Sequence, residues 1–401
     1  MNDTVTTTIS PDVRQRHADC MALIASDKCR ASFSELFDFY APRVKSYMLR
    51  LGASALEAED LAQDVMVTVW RKAGMYDRKQ ASVSTWIFRV ARNRRIDKFR
   101  RASRPDLDAD EPMLRPPDIE QPDAALDRVQ IEEAVRAELV KLPPEQLELL
   151  QAAFYEGLSH SEIATKFNLP LGTVKSRIRL AFGRLRGQLE PEGGDADYAA
   201  GQLDPAFALL LETQSMLRRD VRGALAASEA VSGFMLETAE PVQMSAGAGA
   251  RALELIDALE SGDSVTATDF TGDAELACLP MPLRDKALEA FDAAGWQANA
   301  PGIRRMKLDV GSDLEIELYR IQPNAKVPRH SHGGTEFTLV VAGGFSDETG
   351  SYGPGDLAVK GPDDTHQPVG DPGEVCFALA VRDAGLQFTG IMGVIQRVLG
   401  R

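Results

Sequence analysis

Cysteine is scarce in this chain. Its 401 residues hold four, Cys20, Cys29, Cys278 and Cys376, with no C-x-x-C pair among them. That spacing points to free thiols in a reducing compartment rather than a disulfide framework. Long apolar runs are also missing, and none approaches the length needed to span a bilayer. The opening residues, MNDTVTTTIS, lack a basic stretch followed by an apolar core, so no signal peptide is expected there. Together these absences predict a cytoplasmic protein without a membrane partner. No repeat of solenoid period is visible. Residues 1–190 contain no nucleophile, acid–base constellation or phosphate-binding loop, which sets enzymatic chemistry aside for that half.

What is present is divided unevenly. The length allows two or three domains, each with its own core. The net charge of −15 hides an asymmetry: residues 1–190 carry 29 Lys+Arg against 28 Asp+Glu, and residues 191–401 carry 16 against 32. A nearly neutral half with local basic patches can bind nucleic acid, whereas a strongly acidic half avoids it.

The most informative stretch is 158–186, LSHSEIATKFNLPLGTVKSRIRLAFGRLR. Ser159 and Glu162 have capping-box spacing, which starts a helix. Ile163, Ala164 and Phe167 give it an apolar face. Asn168 to Gly172 break the period, and Pro170 suits the start of a second helix. There Val174, Ile178, Ala181, Phe182 and Leu185 face inward, while Lys175, Ser176 and Arg179 point away and Arg177 flanks them. A buried stripe opposite a cationic face predicts a helix-turn-helix whose second helix enters a major groove. Upstream, residues 84–104 hold eight Arg or Lys and one Asp, interleaved with Trp86, Ile87, Val90, Ile96 and Phe99. Cations beside aromatics suit phosphate contact and stacking of unpaired bases.

Residues 12–101 read as helical. Pro105, Pro112, Pro116, Pro117 and Pro122 among acids mark an extended linker. A second helical block runs from about 126 to 189, and 197–230 reads as helical again. Residues 232–250, rich in Ala, Gly and Ser, are expected to be mobile, with a short helix at 251–260. From about 304 the texture turns to short alternating strands, the pattern of a small β-barrel or sandwich.

These segments in this order, AEDLAQDV…VWRK (58–72), STWIFRVARNRRIDKFRR (84–101), an acidic Pro-rich linker and LSHSEIATKFNLPLGTVKSRI, resemble an extracytoplasmic-function (ECF) sigma factor over about residues 31–189. The resemblance implies a region 2 at 12–102, a linker at 103–125 and a region 4 at 126–189. It implies that 58–72, with Asp60, Gln63, Asp64 and Trp70, binds core RNA polymerase. It assigns Trp86, Arg89, Asn93, Asp97 and Arg100 to the minus-ten promoter helix, with Asp97 also able to pair with Arg94 or Arg101. Thr173, Lys175, Ser176, Arg177 and Arg179 go to the minus-thirty-five helix.

In the acidic half, PRHSHGGTEFTLVVAGGF places His330, His332, Glu336 and Gly343 at H-x-H-x₃-E-x₆-G, and His366 follows in DDTHQP. Two histidines two apart on a strand share a face, and Glu336 can return to it after the Gly-Gly turn. Three imidazoles and a carboxylate suit zinc, iron, manganese or nickel. The pattern resembles the cupin motifs, with Asn324 where a Gly usually opens the first. The divalent metal expected at His330, His332, Glu336 and His366 is zinc.

LPMPLRDKALEAFDAAGWQANAPGIRRMKL (279–308) followed by this barrel resembles the ChrR-type anti-sigma factors. Residues 197–222 resemble the helical domain with which that family clamps its sigma factor. The family's zinc ligands there, H-x₃-C-x₂-C, are replaced by Gln214, Arg218 and Val221, so no zinc is expected in the clamp. Phe207, Leu210, Leu211, Met216 and Leu217 supply its apolar surface. The expected fold is therefore multidomain: an all-α N-terminal half with a helix-turn-helix, a helical segment at 197–230, a mobile linker with a short helix at 231–275, and an all-β cupin barrel at 276–401. The expected function is promoter-specific initiation with core RNA polymerase on promoter DNA, without enzymatic activity, tuned through an intramolecular clamp by the tail. A metal-dependent, dioxygenase-like cupin enzyme with a DNA-binding arm is the alternative, and a plain helix-turn-helix regulator the third.

Overall fold

The computed structural model describes residues 9–103, 122–156, 158–185, 203–261, 274–382 and 386–388. The chain divides into two compact units, residues 1–203 with 223–266, and residues 204–222 with 267–401. Most of the expected linker, 104–121, and the stretches 186–202 and 262–273 lie outside the described residues. Among the described residues no helix is long and apolar enough to cross a membrane.

The first unit is helical. Ser10 caps α1 (Pro11–Asp27) by accepting from Val13 N–H, with Pro11 at the first turn. It is followed by α2 (Arg30–Arg50), α3 (Ala55–Lys72) and α4 (Val83–Ser103). Ser54 and Glu57 close a capping box on α3. Apolar residues at helical spacing meet in one core that includes Met21, Ile24, Phe33, Leu36, Tyr40, Tyr47, Val65, Trp70, Ile87 and Phe88. The second block comprises α5 (Pro122–Leu139), α6 (Pro144–Leu150) continued by a π-helical turn at Gln151–Tyr155, α7 (His160–Lys166) and α8 (Leu171–Leu185). The Ser159–Glu162 capping box forms as its spacing requires. Leu149, Ala152, Ile163, Val174 and Ile178 build a separate small core for this helix-turn-helix. Tyr155 instead enters the larger core, with its ring 4.7 Å from Tyr47 and 6.0 Å from Phe88.

Two further helices complete this unit and correct the expected mobile linker. Residues 219–238 form one helix, α10 (Arg219–Thr238), preceded in the chain by α9 (Pro205–Leu217), and α11 follows at Ala248–Ser261. Every residue of α10 from Leu225 to Glu237 is buried. The connection between α10 and α11 is also fixed, since Val242 N–H donates to Pro42 O and Lys45 Nζ to Gln243 O. The Ala, Gly and Ser residues serve close helix packing: a Cβ at Gly233 would fall 2.8 Å from Thr85 Cα.

The second unit is mainly β. A six-stranded antiparallel sheet has the order β1 (Gln297–Ala300), β2 (Ile303–Lys307), β3 (Glu315–Ile321), β11 (Cys376–Arg382), β5 (Glu336–Ala342) and β8 (Leu357–Lys360). One three-stranded sheet joins β10 (Val369–Gly370), β6 (Phe345–Asp347) and β7 (Gly350–Tyr352); the other joins β12 (Leu386–Phe388), β4 (His330–His332) and β9 (Thr365–His366). Among the described residues the strands thus lie in three sheets. One core of this unit, around Leu318, Leu339 and Leu379, takes in Leu283 and Ala287 of α12 (Leu283–Ala294) and Ala206, Leu209 and Leu210 of α9.

That last packing corrects the expected clamp surface. Phe207 lies edge-on to Phe337 at 5.0 Å, and Leu217 also packs on the β core. The apolar stripe assigned to a clamp therefore covers the β domain, and α10 and α11 are the tail helices that pack on the helical unit. Spacing showed that α9 has an apolar face, but its partner is set by non-local packing.

Candidate metal centre and nucleic-acid interface

Strand register assembles the candidate metal-binding cluster. His330 lies directly opposite His366 in the β4–β9 pair, and His332 is two residues further on the same face. All four expected ligands, His330, His332, Glu336 and His366, are buried, and one donor atom from each lies within 4.8 Å of the others. His330 Nδ1 is 2.8 Å from Pro328 O, and His366 Nδ1 is 2.8 Å from a carboxylate oxygen of Asp347. Both acceptors require a proton on Nδ1, so both Nε2 atoms present lone pairs. Yet His366 Nε2 sits 3.2 Å from His330 Nε2 and 3.1 Å from His332 Nε2. The two lone pairs of His330 and His366 facing at 3.2 Å suit a shared cation, while the 3.1 Å contact is also met by an N–H···N hydrogen bond when His332 carries its proton on Nε2. Two imidazole nitrogens bound to one tetrahedral zinc would lie about 3.3 Å apart. His332 Nδ1, buried without a hydrogen-bond partner, is 3.8 Å from Glu336. Burial pushes the His330 imidazole down to about 4, with His332 lowered for the same reason, so both stay neutral as metal ligands must. The residues fit a divalent metal.

Supporting charges surround the cluster. Burial alone would raise the Asp347 carboxyl, but hydrogen bonds from Thr349, His366 and Lys360 overcome it and hold the group well below the usual range. Lys360 Nζ lies 3.0 Å from Asp347 and is itself buried. Glu336 accepts from Thr338 Oγ1 at 2.9 Å and is 3.5 Å from Arg382, which also pairs with Glu317. Sequence reasoning missed Asp347, Lys360 and Arg382, because a carboxylate that orients a histidine has no fixed spacing from it.

In the helical unit, the assigned DNA and polymerase residues fall into three groups. On α8, Lys175 and Ser176 are exposed, and Thr173 and Arg177 are half-buried. On α3, Asp60 and Asp64 are exposed but Gln63 is buried. Trp70 is 2% exposed and packs edge-on against Phe33 at 5.5 Å. Its ring is a core element, and its indole N–H donates to Glu260 of α11 at 2.8 Å. On α4, Trp86 is half-buried beside Tyr76, and Asn93 accepts from Arg92 at 3.3 Å. The side chains of Asp97, Arg100 and Arg179 lie outside the described residues.

Arg89, the remaining assigned residue, pairs with Glu229 of α10, and Arg92 lies 3.9 Å from the same carboxylate. Glu229, Gly233 and Glu237 recur at i, i+4 and i+8, so they form one stripe on α10. Gly233 sits against Thr85. Glu237, fully buried, accepts from Ser84 at 2.6 Å and pairs with Arg136 of α5. Through this stripe one tail helix engages both α4 and the helix leading into the helix-turn-helix. α11 holds α3 in parallel: Glu59 accepts from Lys45 at 2.7 Å, Ser245 N at 3.0 Å and Arg251 at 3.2 Å. Those bonds, Lys45 first, bring its carboxyl down to about 2. The acid-x₃-Gly-x₃-acid stripe was a readable signal, hidden by a composition that suggested flexibility.

Three family models match the chain: Sigma-70 region 2 over residues 36–105, Sigma-70 region 4 over 139–187, and the ChrR Cupin-like domain over 284–384. The ECF RNA polymerase sigma factor RpoE of Cereibacter sphaeroides is 45% identical over 167 residues, covering 41% of this chain and 91% of that protein. The anti-sigma-E factor ChrR of the same organism is 32% identical over 196 residues, covering 49% of this chain and 89% of that protein. ECF sigma factor SigL of Mycobacterium tuberculosis is 34% identical over 161 residues, covering 39% and 89%. A crystal structure of Rhodobacter sphaeroides SigE in complex with the anti-sigma ChrR matches with 30% identity and a TM-score of 0.38, covering 49% of this chain and 98% of that one.

Proposed function

The chain belongs to the ECF sigma factor family, with a ChrR-like cupin region fused behind it, and from that premise we propose that its own tail helices hold the sigma modules in a closed, inactive arrangement. The observation that carries this reading is the α10 stripe. Arg89 is bound in an ion pair with Glu229 where promoter phosphates would need it. Glu237 ties α4 to α5 from the same helix. Covalent attachment keeps such a clamp at an effective concentration of up to about millimolar, so it needs no zinc crosslink to remain engaged. To open, the chain must exchange buried pairs for contacts with polymerase and DNA, and about 5.5 kcal/mol of differential binding moves a two-state equilibrium from 1:99 to 99:1.

In the open state, Asp60, Gln63 and Asp64 would meet core RNA polymerase. Trp86, Arg89, Asn93 and Arg100 would act on the minus-ten element, and Thr173, Lys175, Ser176, Arg177 and Arg179 on the minus-thirty-five element. His330, His332, Glu336 and His366 would hold one zinc ion; with four protein donors the tetrahedral shell is full, which suits a sensing or structural site better than an open catalytic one. Run-off transcription with core polymerase tests the sigma reading. A chain cut after Leu189 should start transcripts at a defined promoter. Arg177→Ala in that chain should weaken promoter binding by about 1–3 kcal/mol if Arg177 reads a base. Absence of a promoter-specific transcript would overturn the assignment.

A further inference from the structure

Tyr155 belongs to the region 4 match at 139–187, yet its ring is fully buried among residues of the region 2 match at 36–105. On one side lies Tyr47 of α2, with ring centroids 4.7 Å apart. On the other lies Phe88 of α4, stacked at 6.0 Å and 28° from parallel. Tyr47 and Phe88 are themselves 5.0 Å apart, so the three rings form one aromatic cluster.

The local backbone delivers the ring to that place. Glu156 N–H donates to Gln151 O, five residues back, at 3.1 Å, which makes the turn Gln151–Tyr155 π-helical. In a regular α-helix Tyr155 would follow Ala152, three positions earlier, onto the core of the helix-turn-helix. The wider turn swings it off that line and into the core built by α2 and α4. Beside the ring, Arg50 of α2 pairs with Glu156 at 3.1 Å, and Lys166 of α7 pairs with the same carboxylate. A charged bridge thus runs from region 2 through Glu156 to the first helix of the helix-turn-helix.

The fit has one flaw. Tyr155 Oη is buried with no hydrogen-bond partner among the described residues. A hydroxyl taken from water without a partner opposes the burial of its own ring, and it regains water when the ring withdraws.

This contact and promoter reading exclude one another. Elements at minus ten and minus thirty-five are about 25 base pairs apart, or about 85 Å of duplex at about 3.4 Å per pair. A module of this size is about 27 Å across, so two in contact span about 55 Å at most. With Tyr155 seated between Tyr47 and Phe88, the two modules cannot reach both elements.

We infer that Tyr155 is an autoinhibitory plug, which docks region 4 directly on the Tyr47–Phe88 face of region 2 and is kept releasable by its unpaired hydroxyl. This deepens the proposed closed arrangement, and rests on its being inactive, by placing one restraint within the sigma modules themselves.

Hydrogen exchange and run-off transcription on the full chain test the plug through two variants of opposite sign. Tyr155→Phe keeps the ring and removes the unpaired hydroxyl. It should slow exchange in α6 and the π-helical turn about tenfold and lower transcription by a similar factor. Tyr155→Ala removes the ring, and should speed the same exchange and raise transcription by at least about tenfold. A residue that only supports the fold would make transcription rise and fall with stability, the reverse of this pattern. Tyr155→Phe without slower exchange and lower transcription overturns the inference, as does a Tyr155→Ala chain that stays folded by circular dichroism and gains no transcription. If alanine unfolds the chain, the phenylalanine variant alone decides. Failure of the tail clamp reads out separately: deleting the tail would then leave transcription unchanged while Tyr155→Phe still lowered it.

Discussion

Replacing Glu237 with alanine should destabilise the closed helical unit by about 3–5 kcal/mol, the range for removing one partner of a buried ion pair, and should raise transcription by the full chain. The Glu237 side chain is fully buried, with Ser84 Oγ at 2.6 Å and Arg136 Nη2 at 3.0 Å. Alanine leaves the Arg136 guanidinium, itself 9% exposed, with Glu132 at 3.6 Å as its remaining carboxylate partner among the described residues. On the proposed clamp, the strain falls on the closed arrangement, because opening would take α4 out of the contact. A shift of that size changes the open population by two orders of magnitude or more, at about 1.4 kcal/mol per factor of ten. Glu237→Gln, which keeps the shape and one acceptor oxygen, should fall between. Thermal unfolding and run-off transcription check both halves of the expectation. A variant that unfolds earlier yet transcribes no better would show that Glu237 supports the fold without restraining the sigma modules.

Gly233→Ala should act in the same direction, against the intrinsic preference of the residue. In the interior of a helix this change normally stabilises by about 1 kcal/mol. Here the added methyl would fall 2.2 Å from Thr85 Oγ1 and 2.9 Å from Thr85 N, inside the contact distance of α4 backbone. Overpacking of that kind costs about 1–3 kcal/mol, and α10 can relieve it only by moving off α4. The full chain should therefore lose stability and gain transcription, while the α10 sequence as a free peptide becomes more helical by circular dichroism. A more stable full chain with unchanged activity would mean that the α4–α10 contact is looser than its geometry indicates.

Local signals made much of the architecture legible. The Ser159–Glu162 box, the apolar stripes of the first eight helices and the H-x-H-x₃-E spacing each specify their element within a few residues. The His330/His332/Glu336 part of the candidate cluster was readable because alternate residues on a strand share a face, whereas the pairing of His330 with His366 across strands comes from the fold. What escaped depends on partners far away in sequence. Gly233 and its small neighbours carry the composition of a flexible linker, and only Thr85, 148 positions earlier, shows them to be a packing surface. Phe207 and Leu217 form an apolar face whether they cover a sigma module or a β sheet. Trp70 falls among the polymerase contacts only through the family resemblance; its amphipathic helix by itself reads as a core helix with a wet side, and the ring does pack on Phe33.

Run-off transcription with core polymerase at matched protein concentration, comparing the full chain with one cut after Leu189, tests the central claim most directly. The closed arrangement predicts at least about tenfold more transcript from the cut chain, since even 1.4 kcal/mol of clamping gives that factor. Equal or lower output from the cut chain would contradict it, and would make the tail an activating or stabilising part of the sigma factor.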